Sequence, residues 1–302
     1  MNEQPRLRWQ ITMKDNGLLL RDFLVVEQQI SKKSLARIKH GDGCILINGT
    51  EKTVRYVVQT GDMVELILPT ETPSSSITPE NIKLDIRYED EHYLVLNKPA
   101  NMNTIPSRQQ PTGSLANAVL FYYEQKKIAA TFHAVNRLDR DTSGLLIVAK
   151  HQLAHDKLSK LQQEHKVHRF YEAIVEGKIT PLNRIINIPI RRKKTSIIQR
   201  EAHPSEGQHA VTHYRVIKQN EQYSHVEIKL ETGRTHQIRV HFSFLHYPLC
   251  GDDLYGGSLR WITRQALHCK EVRFWHPFIK DEIKVQANWP DDLQSLYELV
   301  GL

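Results

Sequence analysis

The sequence predicts an α+β protein: a small N-terminal α/β unit, a linker, and a larger domain built on a mixed, mainly antiparallel sheet. Three observations carry this. Strand-like runs outnumber helix-like ones and follow one another in the larger part of the chain, as antiparallel neighbours do. There is no glycine-rich phosphate loop and no internal repeat to suggest a doubly wound or repeating architecture. The stretch from Pro69 to Pro79 is prolines, serines and threonines with a single aliphatic residue, a composition that divides the chain.

Size and composition narrow the possibilities. At 302 residues and 40% hydrophobic, the chain can bury a real core in one large domain or in a large and a small one. No apolar run approaches the ~18 residues of a membrane span, and the polar N-terminus is not expected to be a signal peptide. The three cysteines Cys44, Cys250 and Cys269 are far apart, which points to a reducing, cytoplasmic setting rather than a disulfide framework. A formal net charge of +7 suits a polyanionic partner, most naturally a nucleic acid.

In the N-terminal unit, placed at residues 15–69, a short strand over 7–13 leads in with Leu7, Trp9 and Ile11 alternating. Leu18 to Val26 reads as a helix, with Leu20, Phe23 and Leu24 on one face. A second helix follows, with Ser31 as N-cap and Gly41 as stop. Its apolar face carries Leu35 and Ile38, while Lys32, Lys33, Arg37 and Lys39 make the rest basic. That basic surface is either a solvated face or a phosphate-contacting one. Strands are expected over 43–48, turned by Asn48-Gly49, then over 54–58 and 63–68.

The linker is placed at residues 70–83, and its prolines should keep it extended, so that the first unit can reach along a large ligand. The second domain, 84–302, opens with strands over 83–88 and 92–97, the latter ended by Pro99. Asn101 sits in the following turn, where asparagine tolerates a left-handed backbone. Helices are expected over 114–124, 154–165, 235–245 and 291–299. Strands are expected over 145–149, 170–175, 210–217, 223–230 and 267–275. Residues 178–209 read as polar and irregular around the tetrabasic run from Arg191 to Lys194, a solvated loop or a second phosphate contact.

Reactive groups concentrate in three places. Arg137, Asp139, Arg140 and Asp141 put four ions immediately before the apolar run Leu145-Leu146-Ile147-Val148, where they must pair or react. Tyr171 lies on a strand, and Arg234 and Arg239 lie on a turn and the helix after it. Plainer readings exist for each: an Arg–Asp tether, a core tyrosine, a magnesium site on Asp139 and Asp141, or zinc held by His236, His241, His246, Cys250 or Cys269.

Asn136-Arg137-Leu138-Asp139-Arg140-Asp141-Thr142-Ser143-Gly144 resembles the signature of the RluA-type pseudouridine synthases. Gly233-Arg234-Thr235-His236-Gln237-Ile238-Arg239-Val240-His241, continued by Pro248, Gly251-Asp252 and Tyr255-Gly256, is similar to a second motif of that family. Arg169-Phe170-Tyr171-Glu172-Ala173-Ile174-Val175-Glu176-Gly177 is similar to a third, and Asn97-Lys98-Pro99 to its opening. In the N-terminal unit, Ser31-Lys32-Lys33-Ser34-Leu35 with Ile47-Asn48-Gly49 and Gly61-Asp62 resembles the S-four-type RNA-binding domain.

The resemblance implies isomerisation of uridines within structured RNA by base flipping and an aspartate-dependent exchange of the glycosidic bond. It implies that Asp139 acts at the ribose as nucleophile or base, and that Arg239 pairs with it, favouring the charged carboxylate and fixing its rotamer. Tyr171 would stack on the uracil and could remove the carbon-five proton. Arg137 would fill the vacancy left by the flipped nucleotide. No metal and no organic cofactor are required. Ribosomal RNA is the favoured substrate over transfer RNA, on a monomer; a non-catalytic RNA-binding assembly factor is the alternative. The departure is Asn136, where the family commonly has histidine, so a weaker phosphate contact is expected there.

Overall fold

The computed structural model describes residues 4–72 and 76–302, so the middle of the expected linker lies outside the described residues. The N-terminal unit contains β1 (Arg6–Gln10), a short α1 (Leu20–Asp22) continuing into a wide turn over Phe23–Glu27, α2 (Lys32–His40), β2 (Cys44–Ile47), β3 (Thr50–Glu51) and β4 (Met63–Ile67). Its four strands form an antiparallel sheet in the order β1-β4-β2-β3. The helical segment and α2 lay Leu20, Phe23, Leu24, Leu35 and Ile38 against Ile45, Ile47, Val64 and Leu66, a core separate from that of the larger domain. The Ser31 hydroxyl accepts the Ser34 amide at 3.0 Å, so α2 begins where its cap dictates. Asn48 and Gly49 both have positive φ, the hairpin turn that an Asn-Gly pair favours. Residues 54–58 do not form the expected strand. A turn from Thr53 to Tyr56 interrupts them, and Val57 makes only an isolated bridge to Leu19.

The larger domain runs β5 (Ile86–Glu89), β6 (Tyr93–Lys98), α3 (Leu115–Lys126), β7 (His133–Ala134), β8 (Ser143–Ala149), α4 (Gln152–Gln163), β9 (Val167–Glu176), β10 (Asn183–Asn187), β11 (Ile190–Arg192), β12 (Arg200–Ala202), β13 (Val211–Gln219), β14 (Tyr223–Leu230), α5 (Gln237–Phe244), β15 (Leu267–His276), β16 (Asp281–Gln286) and α6 (Asp291–Leu299). Its main sheet has the order β10-β13-β14-β9-β15-β8-β6-β5, with β16 added on β15 and β7 on β8. Every pairing is antiparallel except β8 with β15, which makes the sheet mixed but mainly antiparallel. The apolar run that sequence marks as a buried strand is β8, buried along its whole length.

Two further expectations are corrected, and one strand was not foreseen. The supposedly irregular 178–209 stretch contains β10 and the β11–β12 hairpin, whose ends pair Ile190 with Ala202 and Arg192 with Arg200. Strand β16 escapes a hydrophobicity reading because only Ile283 and Val285 of its six residues are apolar. The N-terminal unit does not stand off on a free tether. The Ser34 hydroxyl donates to Asp156 at 2.9 Å, Lys157 donates to the Gln28 carbonyl at 2.6 Å, and Leu153 of α4 packs into the N-terminal core. Glu71 of the linker accepts the Gln152 amide at 2.7 Å and pairs with His133. Among the described residues no helix is long and apolar enough to cross a membrane.

Candidate active site

Asp139 sits on the loop that feeds β8, and the loop is fixed from several sides. Thr104 donates its hydroxyl to the Leu138 carbonyl at 2.9 Å, the Thr142 amide reaches the Asp139 carbonyl at 3.2 Å, and the Met102 amide reaches the Arg140 carbonyl at 3.1 Å. Lys98, fully buried at the end of β6, donates to the carbonyls of Pro99, Met102 and Arg140 at 2.7, 2.8 and 2.9 Å. Burial pushes its pKa down to about 7, against the charges of Asp141 and Asp139. Three carbonyl acceptors call for three N–H groups, so the site holds the ammonium form. Asn101 takes the left-handed backbone expected of it, at φ 60°, and accepts a 3.0 Å hydrogen bond from Arg140 Nε. At the strand's start Gly144 has φ +110°, and a Cβ there would lie 2.3 Å from the Cys269 carbonyl oxygen. Only glycine admits this close crossing of β8 and β15.

Arg239 is supplied by α5, which follows β14 in the chain. Gln237, buried at the start of that helix, donates to the Val211 carbonyl and to Thr212 and accepts the Arg234 amide, so the helix entrance is pinned to β13. Arg239 Nη1 then lies 3.2 Å from Asp139 Oδ2. Its other edge makes a bidentate pair with Asp252, Nε to Oδ2 at 2.7 Å and Nη2 to Oδ1 at 2.8 Å, with the Asp252 side chain wholly buried. Burial alone would lower the Arg239 pKa, but the hydrogen bonds and charge of Asp252, then Asp139, hold it above its ordinary value. The guanidinium is therefore a permanent cation, with one edge locked by Asp252 and Nη1 offered to Asp139.

A cavity of about 560 Å³ opens over this pair, lined among others by Asp139, Arg169, Tyr171, Arg234, His236 and Arg239. The size falls in the ordinary range for small-ligand sites, ~300–1,000 Å³. Tyr171 projects from the middle of β9, where its backbone registers with Ile228 and Cys269. Burial raises its pKa well above the ordinary phenol value, with the Arg169 cation opposing. Arg169, two residues earlier on the same face of β9, is 4% exposed, and its Nε has no hydrogen-bond partner among the described residues. A Cβ on Gly233 would come within 3.1 Å of Arg169 Nη1, so glycine there leaves room for the guanidinium.

The structure thus brings Asp139, Arg239 and Tyr171 to one cavity. Arg137 lines the same cavity, is exposed, and makes no hydrogen bond or ion pair among the described residues. Lys32, Lys33, Arg37 and Lys39 are exposed on α2, outside that cavity. Asn136 is corrected: it is 5% exposed, and its Oδ1 accepts the Ile147 amide at 2.9 Å, so it holds β8 rather than facing RNA phosphate. His241, one of the zinc alternatives, contacts Thr212 at 2.9 Å and the Ile188 carbonyl at 2.9 Å. Sequence reasoning missed the partnership of Asp252 with Arg239 and the unpaired Arg169. Both lie inside motifs already noted, Gly251-Asp252 and Arg169-Phe170-Tyr171. No pattern singled either out, since Arg169 shares its motif with Glu172 and Glu176 and Asp252 adjoins Asp253.

Comparison with known proteins shows the family. The family model described as RNA pseudouridylate synthase matches residues 92–244. An uncharacterized RNA pseudouridine synthase, YjbO of Bacillus subtilis (strain 168), is 46% identical over 270 residues, 89% of this chain and 95% of that protein. Ribosomal large subunit pseudouridine synthase D of Pseudomonas aeruginosa is 38% identical over 273 residues, 86% of this chain and 84% of that one. Among solved structures, human RNA pseudouridylate synthase domain containing 1 superposes with a TM-score of 0.57 at 26% identity, over 72% of this chain and 86% of that chain. The chain belongs to the RluA-type RNA pseudouridine synthases, isomerases that act on RNA.

Proposed function

We propose that this enzyme isomerises uridines of large-subunit ribosomal RNA in the cytoplasm, as a monomer, with Asp139, Arg239 and Tyr171 as its catalytic residues. The observation that carries the reading is the 3.2 Å contact between Arg239 and Asp139 at a cavity also lined by Tyr171. The substrate class draws support from relatives named ribosomal large subunit pseudouridine synthase D, such as the Pseudomonas aeruginosa protein.

The reaction breaks the bond between N1 of uracil and C1′ of ribose, turns the base, and joins C5 to C1′. The C5 proton leaves and N1 gains one, so the product is an isomer. Flipping brings the nucleotide into the cavity at the cost of its stacking, and exposed Arg137 takes the vacated place. The Asp139 carboxylate then acts at the ribose, on C1′ as nucleophile or on a ribose proton as base. Arg239, locked by Asp252, sets a permanent cation beside that carboxylate and holds it in one rotamer. Tyr171 packs on the uracil, and because burial keeps its phenol protonated, its hydroxyl oxygen takes the C5 proton only while passing its own proton on in the same step, after the base has turned. The N-terminal unit serves as an S-four-type RNA-binding domain, with Lys32, Lys33, Arg37 and Lys39 on phosphates.

Mapping pseudouridine across total RNA from cells with and without the gene tests the substrate. Loss of one or a few sites in large-subunit ribosomal RNA is expected. Loss confined to transfer RNA would replace the substrate class, and no loss at all would contradict the reading.

A further inference from the structure

His236 is the first residue of the α5 entrance, half-buried, and its ring lies between two groups of different character. Its Nε2 is 3.9 Å from Asp139 Oδ2, and its Nδ1 is 2.8 Å from the Tyr255 hydroxyl. Tyr255 is itself constrained. Its hydroxyl oxygen accepts the backbone amide of Arg200 in β12 at 2.9 Å, its ring meets the His236 ring edge-on at 5.6 Å, and the Arg239 guanidinium sits over its face at 4.9 Å. The hydroxyl therefore receives one hydrogen bond from a donor that cannot reverse. Among the described residues its own proton has one acceptor within reach, His236 Nδ1. A histidine nitrogen that accepts is unprotonated, and in the neutral ring the proton must then be on the other nitrogen.

We propose that His236 is a positioning residue for Asp139, held by Tyr255 as the Nε2–H tautomer so that it presents a hydrogen-bond donor to the Asp139 carboxylate. This rests on the reading of Asp139 as the group that acts at the ribose. Asp139 then faces donors on two sides, Arg239 Nη1 and His236 Nε2–H. The opposite tautomer would turn a lone pair toward the carboxylate. At 3.9 Å the contact is too long for a hydrogen bond in the free enzyme, and such bonds tighten when substrate closes the site. Burial lowers the His236 pKa, against the charge of Asp139, which favours the neutral ring the chain of hydrogen bonds requires. The polarity of the chain originates in the β12 backbone, so the hairpin beside the active site sets the orientation of a group inside it.

The test is nitrogen NMR on the full-length protein with labelled histidine, the His236 signals being identified by their absence from H236N. The expected result is a proton on Nε2 and a bare Nδ1, and loss of that preference in Y255F, which keeps the ring over Arg239. Kinetically, H236N and Y255F should lower kcat about tenfold with KM for RNA unchanged, as loss of one hydrogen bond to a charged group does. H236Q, whose amide nitrogen can take the place of Nε2, should recover most of that loss. The left-handed backbone at His236, φ 58°, suits asparagine better than glutamine, so strain would favour the wrong variant. A proton on Nδ1 in the unmodified protein, or full kcat in H236N, would overturn the proposal. The nitrogen signals do not depend on turnover, so a failure of the Asp139 reading, seen as activity in D139N, is separately visible.

Discussion

Arg239 is held by two carboxylates that do different things. Asp252 is buried and bidentate, while Asp139 keeps 28% of its side chain exposed toward the cavity. Truncating Asp252 strands a buried guanidinium with one partner. Asp252→Ala should cost about 3–5 kcal/mol of stability and lower kcat as well, because Arg239 is then free to swing away from Asp139. Thermal unfolding with steady-state kinetics checks both, and an unchanged melting temperature would contradict the pair's role. Asp139, Arg239 and Tyr171 were legible in the sequence because each stands in a motif with its own pattern. The roles of Asp252 and His236 were not, since each depends on what the fold sets against it: Arg239 thirteen residues away for Asp252, and the β12 amide acting through Tyr255 for His236. Asn136 shows the converse. Its departure from the family pattern was visible, but only burial reveals that it serves the β8 backbone.

Elements whose periodicity and caps agree are where the sequence reads most plainly. Helix α2 begins at its Ser31 cap, α3 begins with a capping box between Ser114 and Asn117, and β8 is the continuous apolar run it resembled. Strands β7, β10, β12 and β16 escape such reading because they are short or charge-rich, and exist through pairing with a neighbour rather than through their own pattern. The same distinction predicts two variants. Ser31→Ala should cost about 1 kcal/mol in the N-terminal unit, the usual worth of a cap, and leave catalysis on a short RNA intact. Gly144→Ala should be far worse, since its Cβ meets the Cys269 backbone at 2.3 Å and φ is +110°. More than about 3 kcal/mol is expected from denaturant unfolding, as for other strained core insertions, and a loss near that of the cap would contradict the crossing described for β8 and β15.

Across the molecule, charge and burial set how the enzyme meets RNA and acid. The net charge of +7 foretold a polyanion, but not that α2 would be docked against α4 while keeping its four basic residues exposed. Replacing Lys32, Lys33, Arg37 and Lys39 together by alanine should flatten the dependence of RNA binding on salt. The logarithmic slope should fall by up to about 0.7–0.9 for each phosphate that is no longer neutralised. kcat should hold while KM rises; an unchanged slope would remove α2 from the RNA-binding surface. Burial also holds His92 and His268 neutral, each with its pKa pushed down to about 4 from 6.5, with Asp90 partly opposing at His92. Since the unfolded chain takes up these protons first, stability is full above pH 6.5 and is lost as pH falls toward 4. Each group contributes on the order of 3 kcal/mol, so unfolding midpoints measured in urea should drop steeply across that window.

The central claim is that Asp139, set by Arg239 and the β8 loop, performs the chemistry at the ribose. Its most direct test is tritium release from carbon-five-labelled uridine in RNA by Asp139→Asn, which changes one carboxylate oxygen to an amide and keeps the shape. Release is expected to vanish while RNA binding persists; full release from that variant would contradict this role of Asp139.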